Sequence, residues 1–442
     1  MYDFERRDVM ENPRELALKS LIKAEESSVF SNIEINTTLS RAKLDEKDAG
    51  LYTILYLGVL ENKMLLDYII KHYSSIPLDK IEIKEKSLLR LGIYQLYFLT
   101  KIPDYSATDE CVRLAPKKSK GFINAILRSF IRDGKRVKLP DEKWEHVSIK
   151  HSLPMPIIEL FISSYGEKTA FELITSTKAS TELCLRVNTL KASANAVLDE
   201  LKNRGASPEL SLYADDIIKC SIPISKIQDI ISDGIVFIQD ESSRVCTKII
   251  DAQPNEKIAD VCACPGGKTF SMALDMQNKG QIFASDLHES KLSLITKTAS
   301  RLGIDIISTR VQNAKELVLE NEQAFDRVLC DVPCSGLGII FKKPDIKYKD
   351  INGINNLPSV QKDILSTCAS YVKPDGVLVY STCTLNKAEN EDNVKAFLKE
   401  NSGFEPVDFK IGNVQSVDGM YTFLPHKTNT DGFFVAKMKR VK

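Results

Sequence analysis

Two cysteines stand where strands are expected to end. Asp331-Val332-Pro333-Cys334-Ser335-Gly336 follows the strand pattern FDRVLC, and Ser381-Thr382-Cys383-Thr384 follows GVLVY. Upstream, Cys262-Ala263-Cys264-Pro265-Gly266-Gly267-Lys268-Thr269 lies between a strand pattern and a helical one. Asp286 closes the next strand pattern, 19 residues after Gly267. Open α/β sheets bind their ligands at the carboxyl ends of the strands, and the first strand–helix turn is the usual nucleotide site. Glycines let the backbone approach a ligand, and a helix N-terminus offers free N–H groups. A carboxylate at Asp286 can accept both ribose hydroxyls of an adenosine cofactor. The loop is not GxGxxG, which weakens a dinucleotide reading. It is not GxxxxGK[ST] either, although Gly267-Lys268-Thr269 resembles the end of a P-loop.

Two thiols and a carboxylate beside an adenosine-type site suggest covalent chemistry. C5 of cytosine is a poor nucleophile because the ring is electron-poor. A thiolate added to C6 makes C5 enamine-like, so that it accepts a methyl cation from a sulfonium donor. A carboxylate at N3 favours the protonated, electron-drawing ring. The C5 proton must then leave so that the thiol can leave. Cys383, Asp331 and Cys334 are the residues available for these tasks. Cys111, Cys184, Cys220, Cys246, Cys330 and Cys368 read as small buried hydrophobes. Cys262-x-Cys264 has no second ligand pair nearby, so no metal site is expected.

The elements that must position these residues follow from periodicity. The 442 residues are enough for two to four domains. Residues 1 to about 145 read as all-helical, with wide apolar faces that pack as a bundle. Breaks fall at Asn12-Pro13, Ile76-Pro77, Ile102-Pro103 and Ala115-Pro116. The stretch KRVKLPDEKWEHVSIKHSLPMP looks like a linker. Residues 146–233 are expected to hold that linker and a small α+β unit, with LCLRVNTL as a strand and ANAVLDELKNRG as a helix. From 234 to 442 strand, loop and helix alternate, which implies a doubly wound, largely parallel sheet.

Composition excludes several classes. Hydrophobic residues make up 43% and charged residues 27%, ordinary for a globular chain. Lys+Arg and Asp+Glu are 60 each, so a histone-like polyelectrolyte is excluded and any nucleic-acid surface must be local. The charged start MYDFERRDVMENPRE is no secretory signal, and the longest apolar stretch, Leu88 to Leu99, is too short to cross a bilayer. Ten cysteines without a paired framework suggest free thiols in a reducing cytosol.

The ordered series DVCACPGGKT, ASDLHESKL, DVPCSGLGIIFKKPDIKY, LVYSTCTLNKAENEDNV and DGFFVAKM resembles the bacterial RNA cytosine-5 methyltransferases, closely those of 16S ribosomal RNA. RVNTLK, GIVFIQDESS and GFINAILRSF extend the resemblance over essentially the whole chain. It implies a multidomain protein: an all-α NusB-like domain, a small α+β RRM-like unit and a Rossmann-like α/β methyltransferase domain. It also implies S-adenosylmethionine as cofactor. By position, Cys262, Ala263, Cys264, Pro265, Gly266, Gly267, Lys268, Asp286, Asn313 and Asp331 would hold it. Cys383 matches the nucleophile and Cys334 the cysteine that assists release. The family usually has Ala at 264, Asp at 313 and often Ser at 384. An amide at Asn313 accepts through its oxygen, more weakly than a carboxylate. The implied partner is ribosomal RNA, met as a single strand or a flipped cytosine, by a cytoplasmic monomer with no membrane contact.

One segment is strongly basic. Arg113 to Lys138 holds nine Lys or Arg and the single acid Asp133. It is a candidate phosphate-binding surface. Lys342, Lys343 and Lys347 form a second cluster that could hold the RNA backbone. NKAENEDN, 386–393, reads as a polar helix start without chemistry. Three alternatives are a non-catalytic RNA-binding antitermination factor, a nicotinamide-dependent oxidoreductase, and the same methylation on transfer RNA or another ribosomal site. The paired cysteines and the cofactor loop count against the first, and the absence of GxGxxG against the second.

Overall fold

The computed structural model describes residues 11–27, 31–176, 182–349 and 351–442. The first ten residues, part of the expected helical domain, lie outside these. The chain forms two units. One takes in residues up to Ser176 together with Ile340–Lys349, and the other takes in the remainder. No helix among the described residues is long and apolar enough to cross a membrane.

The first unit is helical. Asn12 starts it by accepting from the Arg14 and Glu15 N–H groups, and Pro13 presets the first turn of Pro13–Glu26. Ile83–Phe98 is buried on nearly every face and lies in the interior of the bundle. Its one buried cation, Arg90, is fully engaged. Nε and Nη2 bond the two Asp67 oxygens at 2.6 and 2.9 Å, and Nη1 bonds Glu25 at 3.0 Å. The expected linker carries a helix, Lys143–Lys150. Its prolines bound the helix without breaking it, Glu142 caps its start, and Val147 and Ser148 turn inward. With so few apolar residues, the segment shows no helical period in the sequence.

The second unit holds two sheets of four or more strands. Strands β1 Leu183–Val187, β2 Glu209–Leu210, β3 Ile217–Cys220 and β4 Val236–Ile238 are antiparallel in the order β2-β3-β1-β4. The helix Ala194–Asn203 joins β1 to β2 and Gln228–Ser232 joins β3 to β4, a split β-α-β arrangement. The larger sheet has β5 Lys257–Asp260, β6 Gln281–Asp286, β7 Ile307–Val311, β8 Phe325–Asp331, β9 Val372–Thr382 and β10 Phe404–Pro406. After the short ribbon β11 Lys410–Ile411 and β12 Val414–Gln415 come β13 Met420–Phe423 and β14 Phe433–Arg440. The order is β10-β14-β9-β8-β5-β6-β7, with β13 also on β14. Strands β5 to β9 run parallel, while β14 lies antiparallel beside β9. Strand order reverses beside β5: the chain goes to β6 and β7 on one side, then to β8 and β9 on the other. The crevice at the carboxyl ends of β5 and β8 is therefore the binding position of this topology. The strands β5, β8 and β9 read as near-continuous apolar runs because both faces are covered, and Ile258, Val328, Leu329, Leu378 and Val379 are fully buried.

Candidate active site

The loop after β5 turns sharply into the helix Gly267–Asp275. Gly266 makes the turn at φ +105°, and a Cβ there would lie 2.6 Å from the Phe270 ring, so glycine is required. The Ala263 N–H bonds the Ser285 carbonyl at 2.9 Å and fastens the loop to the end of β6. Gln239 Nε2 donates to the Gly267 carbonyl at 2.8 Å while its Oε1 accepts from Ser271 at 2.7 Å. The loop is thereby fixed from two sides, and the first N–H groups of the helix have no intrahelical partner.

Three carboxylates close strands here. Asp286 ends β6 and accepts from the His288 N–H at 3.1 Å and from the Cys264 thiol. Burial and the Asp286 charge push the Cys264 thiol up to about 12, which sets loop and carboxylate side by side. Asp260 ends β5 and is fully enclosed. Its Oδ2 accepts from Thr269 at 2.7 Å, and Oδ1 has no partner among the described residues. Burial, aided by the Asp331 charge, lifts its pKa to about 7. Asp331 ends β8 and accepts from Lys268 Nζ and Ser381 Oγ, both at 2.7 Å. Burial disfavours the Lys268 ammonium, yet the Asp331 carboxylate outweighs burial and holds the pKa above its ordinary value. Cys383 lies within reach of the same ammonium.

The two motif cysteines meet. Cys334 Sγ and Cys383 Sγ are 3.2 Å apart. Contact with Cys383, burial and the Glu389 charge together raise the Cys334 thiol well above its usual range. Cys111, Cys220, Cys246, Cys330 and Cys368 are buried as expected, whereas Cys184 is only partly so.

Two sequence readings change, and Asn313 is found in a local turn. Asn313 spends its amide on its own turn: Nδ2 donates to Glu316 at 2.8 Å and Oδ1 accepts from the Lys315 N–H at 3.2 Å. Lys347 is buried and donates to the Glu61 and His151 carbonyls at 3.3 Å, and burial lowers its pKa to about 8. It faces the interior of the helical unit and adds nothing to a basic surface. The polar segment 386–393 is not a bland helix start. Glu389 and Asn390 are fully buried and bond both cysteine loops. Sequence reasoning missed these two, Asp260 and Gln361. Only Asp260 carried a signal, as a carboxylate at a strand end like Asp286 and Asp331.

The residues fit an adenosine sulfonium: a fixed glycine turn, first helix N–H groups without intrahelical partners, the Asp286 carboxylate at the end of the next strand, and a buried Asp260 oxygen that has no partner among the described residues. Such a sheet, with its antiparallel β14 and this loop, defines a methyltransferase that uses S-adenosylmethionine. Residues 247–439 match the family described as 16S rRNA methyltransferase RsmB/F, and residues 11–132 match the NusB family. The probable ribosomal RNA small subunit methyltransferase B of Bacillus subtilis is 35% identical over 97% of this chain and 98% of its own. The Synechocystis protein of the same name is 32% identical over 98% and 100%. The crystal structure of PH0851 shares the fold with TM-score 0.82 and 24% identity, covering 97% of this chain and 99% of its own. The chain belongs to the ribosomal RNA small subunit methyltransferase B family, S-adenosylmethionine-dependent enzymes that methylate ribosomal RNA.

Proposed function

We propose that the protein methylates C5 of a cytosine in 16S ribosomal RNA through a covalent bond between Cys383 and C6. The observation that carries this reading is the 3.2 Å approach of Cys334 and Cys383 beside Asp331. S-adenosylmethionine supplies the electrophilic methyl group when bound. The loop Cys262–Lys268 and Asp286 orient the cofactor, and Asn313 Oδ1 keeps a second lone pair for the adenine amino group. Cys383, close to the Lys268 ammonium, loses its proton and its sulfur bonds to C6. The C5=C6 electron pair becomes available at C5, and the proton given up by the thiol comes to rest on N3, where the Asp331 carboxylate holds it by a hydrogen bond and so favours the protonated, electron-drawing ring. Once C5 carries the methyl, a base at the site or water takes its proton, the C5–H electron pair re-forms the double bond, and the C6–S bond breaks to release the Cys383 thiolate. Cys334, in contact with the departing sulfur, acts in this release. The target base must be unpaired or flipped to meet these groups. The work place is the cytoplasm, where ribosomal RNA is processed, and one chain carries every group the reaction uses.

The test is a denaturing gel with labelled RNA and S-adenosylmethionine. Cys383→Ala forms no slow-migrating adduct, whereas Cys334→Ala methylates, stalls and accumulates one. A band with Cys383→Ala and none with Cys334→Ala would reverse the two roles. Full activity in both variants would end the covalent mechanism. The RNA itself is identified by mass spectrometry of a deletion strain: loss of one 5-methylcytosine in 16S RNA is expected, and loss in transfer RNA would redirect the address.

A further inference from the structure

We propose that Glu389 is the positioning residue that holds the two thiols of the site at their 3.2 Å separation, an inference that rests on the covalent reading above. Glu389 is fully buried. A carboxylate in a dry interior persists only when several donors surround it. Its Oε2 accepts from the Ser335 N–H and from Gln361 Nε2, both at 2.9 Å. Its Oε1 accepts from Ser335 Oγ at 2.6 Å and Asn386 Nδ2 at 3.0 Å. Ser335 directly follows Cys334. The Ser335 hydroxyl also meets Thr384 Oγ1 at 2.6 Å, and Thr384 directly follows Cys383. One carboxylate is thus anchored to the residue after each thiol.

The neighbouring groups complete the clamp. Gln361 also donates to the Pro333 carbonyl at 3.0 Å, just ahead of Cys334. Asn390 accepts from Thr382 Oγ1 at 2.6 Å and donates to the Thr384 carbonyl at 3.0 Å, gripping Cys383 from both sides. The spacing of the sulfurs decides whether Cys334 can act on the bond that Cys383 must break. Five donors converge on the Glu389 carboxylate, the fifth being Thr384 Oγ1 at 3.5 Å from Oε1, so a glutamine there presents an NH2 to donors and keeps only one acceptor oxygen. The clamp then opens on one side.

The experiment uses the full chain and reads spacing apart from catalysis. Diamide oxidises paired thiols: two S–H bonds break, one S–S bond forms, and two electrons and two protons reduce the azo group to a hydrazine. The Cys334–Cys383 cross-link, followed by peptide mass spectrometry, closes readily in the parent protein. Glu389→Gln is expected to slow the cross-link and to lower kcat, each by about tenfold or more, with KM for RNA and cofactor affinity within about twofold. Unchanged cross-linking and unchanged kcat overturn the proposal. If Glu389→Gln also loses the cofactor, Ser335→Ala, which keeps the backbone N–H partner, is judged by the same two rates. Should Cys383→Ala keep full activity, the covalent reading fails, while the cross-linking rate still decides what Glu389 does.

Discussion

Asp260 carries an oxygen that nothing in the described fold satisfies, and its pKa stands at about 7. An acid raised this far keeps its proton in the folded chain where the unfolded chain has lost it. Folding therefore binds a proton between roughly pH 4 and 7, and the contribution of Asp260 to stability falls as pH rises through that window. Asp260→Asn removes the titration and keeps an acceptor for Thr269. The melting temperature of the parent should drop more than that of the variant between about pH 5 and about pH 8. Parallel curves would mean that Asp260 ionises as an ordinary carboxylate. Asp286 makes a separate prediction. Its carboxylate accepts from the His288 N–H and the Cys264 thiol, and two oxygens leave further lone pairs for a ribose. Asp286→Ala should weaken S-adenosylmethionine binding by roughly 1.5–3 kcal/mol, about ten- to hundredfold by calorimetry. Unchanged affinity would remove Asp286 from the site. Both cysteines, Asp286 and Asp331 were legible from sequence because strand ends in an alternating α/β pattern mark a rim. Glu389 was not, because a carboxylate among NKAENEDN looks solvated until the fold closes around it.

Between elements, a buried charge network joins the small sheet to the cofactor-loop helix, beside the edge-on contact of Phe237 in β4 with Phe270 at 5.9 Å. Arg244, in the helix Glu241–Ile250, bonds both oxygens of Asp216 at 3.0 and 2.7 Å and both oxygens of Asp275 at 2.6 and 2.8 Å. Asp275 ends the helix that begins at Gly267, and Asp216 precedes β3. Arg186 of β1 adds a contact to Asp216 at 2.8 Å, and burial beside Arg244 lowers its pKa to about 10. Two cations and two anions balance inside the unit. Arg244→Met leaves two carboxylates facing one buried guanidinium and should cost about 3–5 kcal/mol, read as an earlier denaturant midpoint. Arg244→Lys should not restore it, since one ammonium cannot engage both carboxylates in pairs. An unshifted midpoint would show that the network is energetically idle. Sequence periodicity located β5, β6, β8, β9 and β14 because strands covered on both faces are apolar runs. It missed the helix Lys143–Lys150, whose capping is local but whose few buried residues leave no period. No pattern could announce the Arg244 network, whose members lie far apart in the chain.

At the scale of the whole molecule the balance of charge poses a question, because a chain with 60 cations and 60 anions has no net attraction for RNA. Binding must come from local excess. The basic segment 113–138 is less bare than its sequence suggests. Arg113 pairs with Glu110 at 2.7 Å, Lys135 with Asp104 at 2.9 Å and Lys138 with Asp141 at 3.1 Å. These acids lie outside the segment, so counting within it overstates the field. Lys117, Lys118 and Lys120 are exposed and, among the described residues, have no ion-pair partner. They surround the turn between Asp104–Leu114 and the helix Lys120–Arg132, whose inner face carries Ile123, Ile126, Leu127 and Phe130 into the core. A rigid turn presenting three ammonium groups is suited to phosphates. Each phosphate neutralised releases counterions, so log K falls with log salt by about 0.7 per contact on single strands. Replacing all three lysines by alanine should therefore weaken RNA binding and flatten the salt slope by about 2, while S-adenosylmethionine affinity stays the same. A triple variant that binds RNA with the parent's salt slope would show that these lysines only solvate the surface, and that the RNA is gripped elsewhere.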